Sequence, residues 1–112
     1  MERQNDTLLL TFTGSAETEA FDELASALAN VHSQATSAPT KRVIADVRGL
    51  DFASSACLKA FVAWLQNAQE LDDSHRYKVL FKSNPRYSWQ KRSLGALKAF
   101  AAGVVEIETE TA

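Results

Sequence analysis

The chain alternates between two kinds of hydrophobic pattern, and this alternation restricts its fold more than any other feature. Short runs of β-branched and apolar residues, typical of strands, occupy 7–13, 42–47, 77–82 and 104–108. Between them lie segments whose apolar residues recur every three or four positions, as on one face of a helix: about 17–33, 57–68 and 88–101. Strands that alternate with helices predict a largely parallel sheet with right-handed crossovers.

The predicted fold class is therefore α/β. A chain of 112 residues has the size of one domain, and the polar stretch Ser33–Thr40 is too short to separate two. We expect a single domain over residues 1–112, with a mixed, mostly parallel sheet of four to five strands and three packed helices. The sequence leaves open whether the strand at 7–13 pairs antiparallel at an edge.

Single residues predict several element boundaries. Residues 51–56 are expected to form the turn into the second helix. Ser88 is a candidate N-cap for the third helix, since serine often accepts the free N–H groups of a first turn. Phe100 is expected in the buried stripe of that helix. Gly103 is expected to end it in a left-handed conformation.

The sequence indicates no membrane span, metal site or cofactor. No apolar run approaches the roughly 18 residues that cross a bilayer. The polar start of the chain does not resemble a secretory signal, which favours a cytoplasmic location. Cys57 is the only cysteine, so an internal disulfide is excluded, and His32 and His75 do not complete a convincing zinc site.

The formal net charge of −2 hides a separation of charge along the chain. Acids predominate in residues 1–73, and Glu106, Glu108 and Glu110 follow near the end. Residues 74–105 contain no acid, and their seven bases are Arg76, Lys78, Lys82, Arg86, Lys91, Arg92 and Lys98. Such a stretch most simply solvates one helix and the ends of a strand. The alternative is that it forms a basic face.

The segment Arg86–Arg92 interleaves aromatic and basic residues, a pattern that can bind single-stranded nucleic acid. We rank first a polar loop and helix start with Trp89 folded onto the core, and second a docking surface for an acidic protein. Nucleic acid ranks last, because the chain as a whole is acidic, and we expect no nucleic-acid partner.

Residues 43–61 carry the strongest functional signal. A buried strand leads into a helix whose first turn contains Ser54 and Ser55. In open α/β sheets, sites collect where strands end and helices begin. A helix N-terminus has free N–H groups and about half a positive charge, so it favours an anion, including a phosphate carried on serine.

This segment resembles the signature of STAS (anti-sigma-factor antagonist) domains, which reads Asp-Leu-x-x-Val-x-Phe-x-Asp-Ser-Ser/Thr-Gly-Leu. The positions that fit without a gap are Asp46, Val47, Leu50, Phe52, Ser55 and Leu58. Looser matches are the strand that ends at Gly14 and the turn at Lys82–Pro85.

The resemblance implies a regulatory protein-binding domain in signal transduction and transcription regulation, without a catalytic residue. By position, Ser55 is the phosphorylation site. The implied partners are a serine kinase that acts as an anti-sigma factor and a PP2C-type phosphatase. The sequence departs from the signature at Ser54, Ala56 and Cys57, which replace Asp, Ser/Thr and Gly. The expected partner-binding residues are Asp51, Ser54, Ser55, Ala56, Cys57 and Lys59.

Other interpretations of the same residues remain open. Ser54 and Ser55 could do no more than cap the helix. Cys57 could be a nucleophile with a lowered pKa, but a small apolar residue in a helix–sheet contact is the simpler interpretation. The domain could also be a constitutive scaffold without a phosphoswitch, or bind a small molecule or nucleotide at the helix N-terminus.

Overall fold

The computed structural model describes residues 1–109, a five-stranded sheet covered by three helices. The strands are β1 (Glu2–Gln4), β2 (Thr7–Ala16), β3 (Arg42–Ala53), β4 (Lys78–Ser83) and β5 (Val105–Thr109). The helices are α1 (Phe21–Ser37), α2 (Ser55–Gln69) and α3 (Ser88–Phe100). The strand order is β1-β2-β3-β4-β5; β1 is antiparallel to β2, and the remaining pairs are parallel. The predicted α/β class, mostly parallel mixed sheet and three helices are confirmed.

All three helices pack on one face of the sheet, because each right-handed crossover moves one strand further in the same direction. The strands accordingly bury alternate residues against the helices, and Val43, Ala45 and Phe81 are 0% exposed. On the opposite face, Leu9 and Ile44 stay partly exposed. The core therefore lies between one face of the sheet and a single layer of helices.

The predicted helical stripes form this core. Leu24 and Leu28 of α1 are buried, as are Phe61 and Leu65 of α2. Buried positions recur every three or four residues, so each helix presents a narrow apolar face to the sheet and a polar face to solvent. Trp64 lies within the buried face of α2 and is 3% exposed.

The predicted turn at 51–56 is wrong, because β3 continues to Ala53 and only Ser54 separates it from α2. The extension is possible because β2 also runs past its predicted end and pairs with it up to Ala16↔Ala53. Two irregularities in the register accommodate the extra length. Gly14 lies between them with a φ of 83°, a conformation that side chains with a Cβ rarely adopt.

Three boundary predictions for the helices and one burial prediction are also wrong. Helix α1 begins at Phe21, after a single 3₁₀ turn, and extends through the expected loop to Ser37. The N-cap position of α3 is Tyr87, so Ser88 is already helical and does not cap. Phe100 is 46% exposed rather than buried. Within residues 1–109, positive φ angles occur at Asn5 and Gly14, so Gly103 is not left-handed.

Strand β1 was not predicted, and it, rather than the strand predicted at 7–13, forms the antiparallel edge of the sheet. Strand β2 is parallel to β3, and its other side pairs antiparallel with β1 over Thr7–Leu9.

None of the helices within residues 1–109 is long and apolar enough to cross a membrane. Glu110, the last of the predicted acidic residues, lies outside the described range.

Candidate partner-binding site at the start of helix α2

On one side, the last part of β3 pairs with β2; on the other side, it is held by side chains of α3 rather than by β4. Pairing of β3 with β4 ends at Asp46↔Lys82. Beyond that point, the Gln90 amide donates to the carbonyl oxygens of Val47 at 2.6 Å and Leu50 at 2.9 Å. Its own oxygen accepts from the Asn84 N–H at 2.7 Å. Gln90 is 1% exposed, so these bonds are shielded from water and fix the segment that leads to α2.

Ser54 is the N-cap of α2. Its φ of −68° and ψ of 161° are those of an extended residue, and its Oγ accepts a hydrogen bond from the Cys57 N–H at 3.2 Å. Its own N–H donates to the Ala16 carbonyl at 2.8 Å, which ties the start of the helix to the end of β2. The hydroxyl of Ser54 is therefore occupied by a structural role.

Ser55 is the first residue of α2, and its side chain is exposed. Its hydroxyl makes no hydrogen bond to any residue in the range 1–109. The two adjacent serines are thus not equivalent: Ser54 caps the helix, whereas the Ser55 hydroxyl points to solvent beside the positive end of the helix dipole.

Cys57 is 0% exposed, so its side chain cannot form part of the docking surface that the sequence predicted. Its Sγ donates to the Glu17 carbonyl at 3.2 Å, in the contact between α2 and the chain that precedes α1. The two histidines bind elsewhere: His32 to the Tyr77 hydroxyl and His75 to Asp72. The position of Cys57 matches the alternative interpretation, a small apolar residue in a close packing contact.

Ala56 and Lys59 line a groove between α1 and α2, with Ser55 at one end. The groove has a volume of about 370 Å³. The side chains that line it are mostly apolar, and they are Phe21, Ala25, Leu28 and Ala29 of α1, and Ser55, Ala56, Lys59, Ala60, Ala63, Trp64 and Asn67 of α2. Three of the predicted partner-binding residues therefore share one surface, and small alanine side chains leave room above it.

Asp51 and Phe52 lie at the end of β3, before the cap. The Asp51 carboxylate accepts a hydrogen bond from the Ser15 hydroxyl at 2.5 Å, which fastens β3 to β2. Phe52 is 45% exposed, a high value for a large apolar side chain. Asp51 thus has a structural partner, and Phe52 is an exposed apolar side chain three residues before Ser55 in the sequence.

Trp89, in the segment considered for nucleic acid, is turned towards the protein. Its ring packs against the core, and its Nε1 donates to the Leu50 carbonyl at 3.1 Å. The ring helps to hold the end of β3 and is not presented as a stacking surface.

Sequence reasoning did not find the α1 side of the groove or Phe52 as an exposed side chain. Ala25 and Ala29 are one turn apart next to the buried stripe of α1, and Ala56, Ala60 and Ala63 are similarly placed on α2. This repeated spacing of alanines on two consecutive helices was the available signal.

The sequence matches no protein-family model, and no curated protein matches it.

Proposed function

We propose that the protein is a regulatory protein-binding domain of the STAS type, which binds its partner at the groove between α1 and α2 and is switched by phosphorylation of Ser55. The observation that carries this proposal is the difference between the two serines. Ser54 caps the helix, which leaves the exposed Ser55 hydroxyl without a structural role among residues 1–109.

The surroundings of Ser55 suit a covalently attached phosphate. The first turn of α2 contains no acidic residue, and its free N–H groups favour an anion. Lys59 lies one turn along the same helix and lines the same groove, so its ammonium group can pair with the phosphate. The modified domain can therefore remain folded while its surface changes charge.

The groove explains how the modification would change binding. Apolar side chains of a partner could fill the space above the alanines. A phosphate at the end of the groove would add a charge of about −1.5 to −2 that the partner must desolvate. A penalty of about 2–3 kcal/mol would weaken binding roughly 30- to 150-fold.

The proposed partners are a serine kinase of the anti-sigma-factor type and a PP2C-type phosphatase that removes the phosphate. The proposed location is the cytoplasm, a reducing compartment in which the free thiol of Cys57 would persist. The proposal includes no catalytic residue and no cofactor.

The first experiment maps phosphorylation in protein purified from its native host. Trypsin should release Gly49–Lys59 as one peptide that contains both serines, and fragmentation distinguishes them. We expect phosphate on Ser55 and none on Ser54, because the Ser54 hydroxyl is engaged in the cap. A well-covered peptide that remains unmodified under several growth conditions would contradict the switch.

The second experiment compares partner capture from host lysate by wild type, Ser55→Ala and Ser55→Asp, with quantification by mass spectrometry. We expect one protein to be retained by wild type and Ser55→Ala and reduced at least about tenfold with Ser55→Asp. Ser33→Asp is the matched control, since it places the same charge near the other end of α1. Equal capture by all variants would indicate a constitutive scaffold.

A further inference from the structure

The charges are separated across the width of the helix layer. Because the strand order follows the chain order, α1 lies over the β2 side of the sheet and α3 over the β5 side. The exposed acids Glu19, Asp22 and Glu23 stand at the start of α1. The exposed bases at the start of α3 are Arg86, Lys91 and Arg92.

The bases at the start of α3 are placed unfavourably within one molecule. The partial positive charge of a helix N-terminus acts within the first turn, so it stabilises Asp22 and Glu23, the second and third residues of α1. Lys91 and Arg92, the fourth and fifth residues of α3, gain nothing from it and repel each other. Residues 88–100 contain no acid. None of Arg86, Lys91 and Arg92 forms an ion pair or a side-chain hydrogen bond with any other residue in the range 1–109. An anionic surface from outside the molecule would relieve this repulsion.

The acids of α1 are an anionic surface of fitting geometry. Both helices begin at the carboxyl edge of the parallel strands, so the two clusters lie at the same height on the molecule. They lie on the two outer helices of the layer, with α2 between them. They cannot meet within one molecule, but they would meet if a second copy stood beside the first in the same orientation.

The α1 side of the molecule also has an open apolar groove. Glu23 stands at the rim of a groove of about 580 Å³ between α1 and β2, whose lining includes Leu10, Phe12 and Leu24. Strand β1 covers β2 only over Thr7–Leu9, so the groove lies beside a strand edge that has no partner among residues 1–109.

We propose that the protein associates with itself side by side, the basic start of α3 in one copy docking on the acidic start of α1 and the adjoining groove in the next. This contact joins two different surfaces, so it repeats without closing and gives chains of increasing length. The proposal does not depend on Ser55 or on its phosphorylation.

The test is sedimentation equilibrium over a range of protein concentrations at low and high salt. Wild type should show a weight-average mass above the monomer mass of 12.3 kDa at low salt, falling towards it in about 0.5 M NaCl as the charges are screened. Reversal of two charges (Lys91→Glu with Arg92→Glu) should lower the association constant about tenfold or more. The matched control, Lys41→Glu with Arg42→Glu, makes the same change of net charge on exposed residues at the other end of the strands and should associate like wild type.

A mixing experiment tests the pairing directly. The variant Asp22→Lys with Glu23→Lys should be monomeric alone, as should the variant reversed on α3, and an equimolar mixture should associate again. Circular dichroism first verifies that each variant is folded. Three results would each overturn the proposal: a monomeric wild type at low salt, equal weakening by the control, or a mixture that stays monomeric. The first result would indicate that the basic start of α3 binds an acidic protein other than a second copy of this chain.

Discussion

At the scale of single residues, the Tyr77 hydroxyl is a buried polar group held by two side chains. Tyr77 is 0% exposed, and burial raises its pKa to about 12, so the hydroxyl stays protonated. It accepts from the Trp64 Nε1–H at 2.9 Å and lies 2.7 Å from His32 Nδ1. Every group is satisfied if the hydroxyl donates to a neutral His32 ring that carries its proton on Nε2.

Tyr77→Phe should lower the free energy of unfolding by about 1–3 kcal/mol, because the Trp64 N–H and the His32 nitrogen would lose a partner that water cannot easily replace. Urea denaturation followed by tryptophan fluorescence measures the change. Tyr87→Phe, at a partly exposed position outside this network, should change stability by less than about 0.5 kcal/mol. Equal effects of the two substitutions would contradict the importance of the network.

His32 should make the stability depend on pH. Burial lowers the pKa of His32 below its ordinary 6.5, so between these values the unfolded chain binds the proton more readily than the native protein. The free energy of unfolding should therefore be steady above about pH 7 and fall as the pH drops through about 6.5. His32→Asn, which cannot titrate, should flatten the curve between pH 7 and 5.5 in urea denaturation. If the free energy of unfolding of His32→Asn falls with pH as steeply as that of wild type, the pH dependence comes from other groups.

At the scale of elements, the sequence predicted whether a segment is a helix or a strand better than it predicted where that helix or strand ends. The periodicity of apolar residues was sufficient to predict α1, α2 and α3, because the residues that a helix buries against the sheet recur once per helical turn. Strand β1 could not be predicted, because Glu-Arg-Gln has no apolar pattern and is a strand only through its pairing with β2. The late end of β3 likewise depends on β2 and on Gln90, which are distant in sequence.

The candidate site likewise has features that the local sequence predicts and features that depend on contacts between distant segments. The N-terminus of α2 and its two serines were visible as a local pattern, but their different roles depend on backbone geometry at Ser54. The groove required the relative placement of α1 and α2, which no local pattern gives. Cys57 had two predicted roles, a docking residue and a small residue in a packing contact, and its burial and its contact with the Glu17 carbonyl fit only the second.

The side-chain contacts of Gln90 should be essential to the junction between β3 and α2. Gln90→Leu keeps a similar volume but leaves the Val47 carbonyl and the Asn84 N–H without donor or acceptor, so unfolding free energy should fall by about 2–4 kcal/mol. The same substitution at the exposed Gln66 of α2 is the control and should be nearly neutral. A tolerated Gln90→Leu would mean that water or another side chain satisfies these groups.

At the scale of the whole molecule, Arg3 secures the edge of the sheet. From β1 its guanidinium donates to the Gln34 carbonyl, the Pro39 carbonyl and the Thr40 hydroxyl, at 3.2, 3.3 and 2.9 Å. These bonds join the short edge strand to the last turn of α1 and to the connection that follows it. Short strands and such covers limit edge-to-edge pairing between molecules.

Arg3→Ala should therefore free β1 without unfolding the rest. In native-state hydrogen exchange, we expect faster exchange in Glu2–Gln4 and Thr7–Leu9 and unchanged protection in Val43–Val47, at the centre of the sheet. Lys41→Ala, an exposed change near the same connection, should leave both regions as in wild type. Uniformly faster exchange would show that Arg3 contributes to global stability instead.

The strand order also bears on how the chain is made. Each strand pairs with the strand before it in the sequence: Leu8 with Val43, Val43 with Val79, and Val79 with Val105. No strand has to wait for a later one to be inserted between it and its neighbour, so loop closures stay short and folding should be fast for a parallel sheet. As the chain leaves the ribosome from its N-terminus, each new strand and helix can add to a template that is already complete.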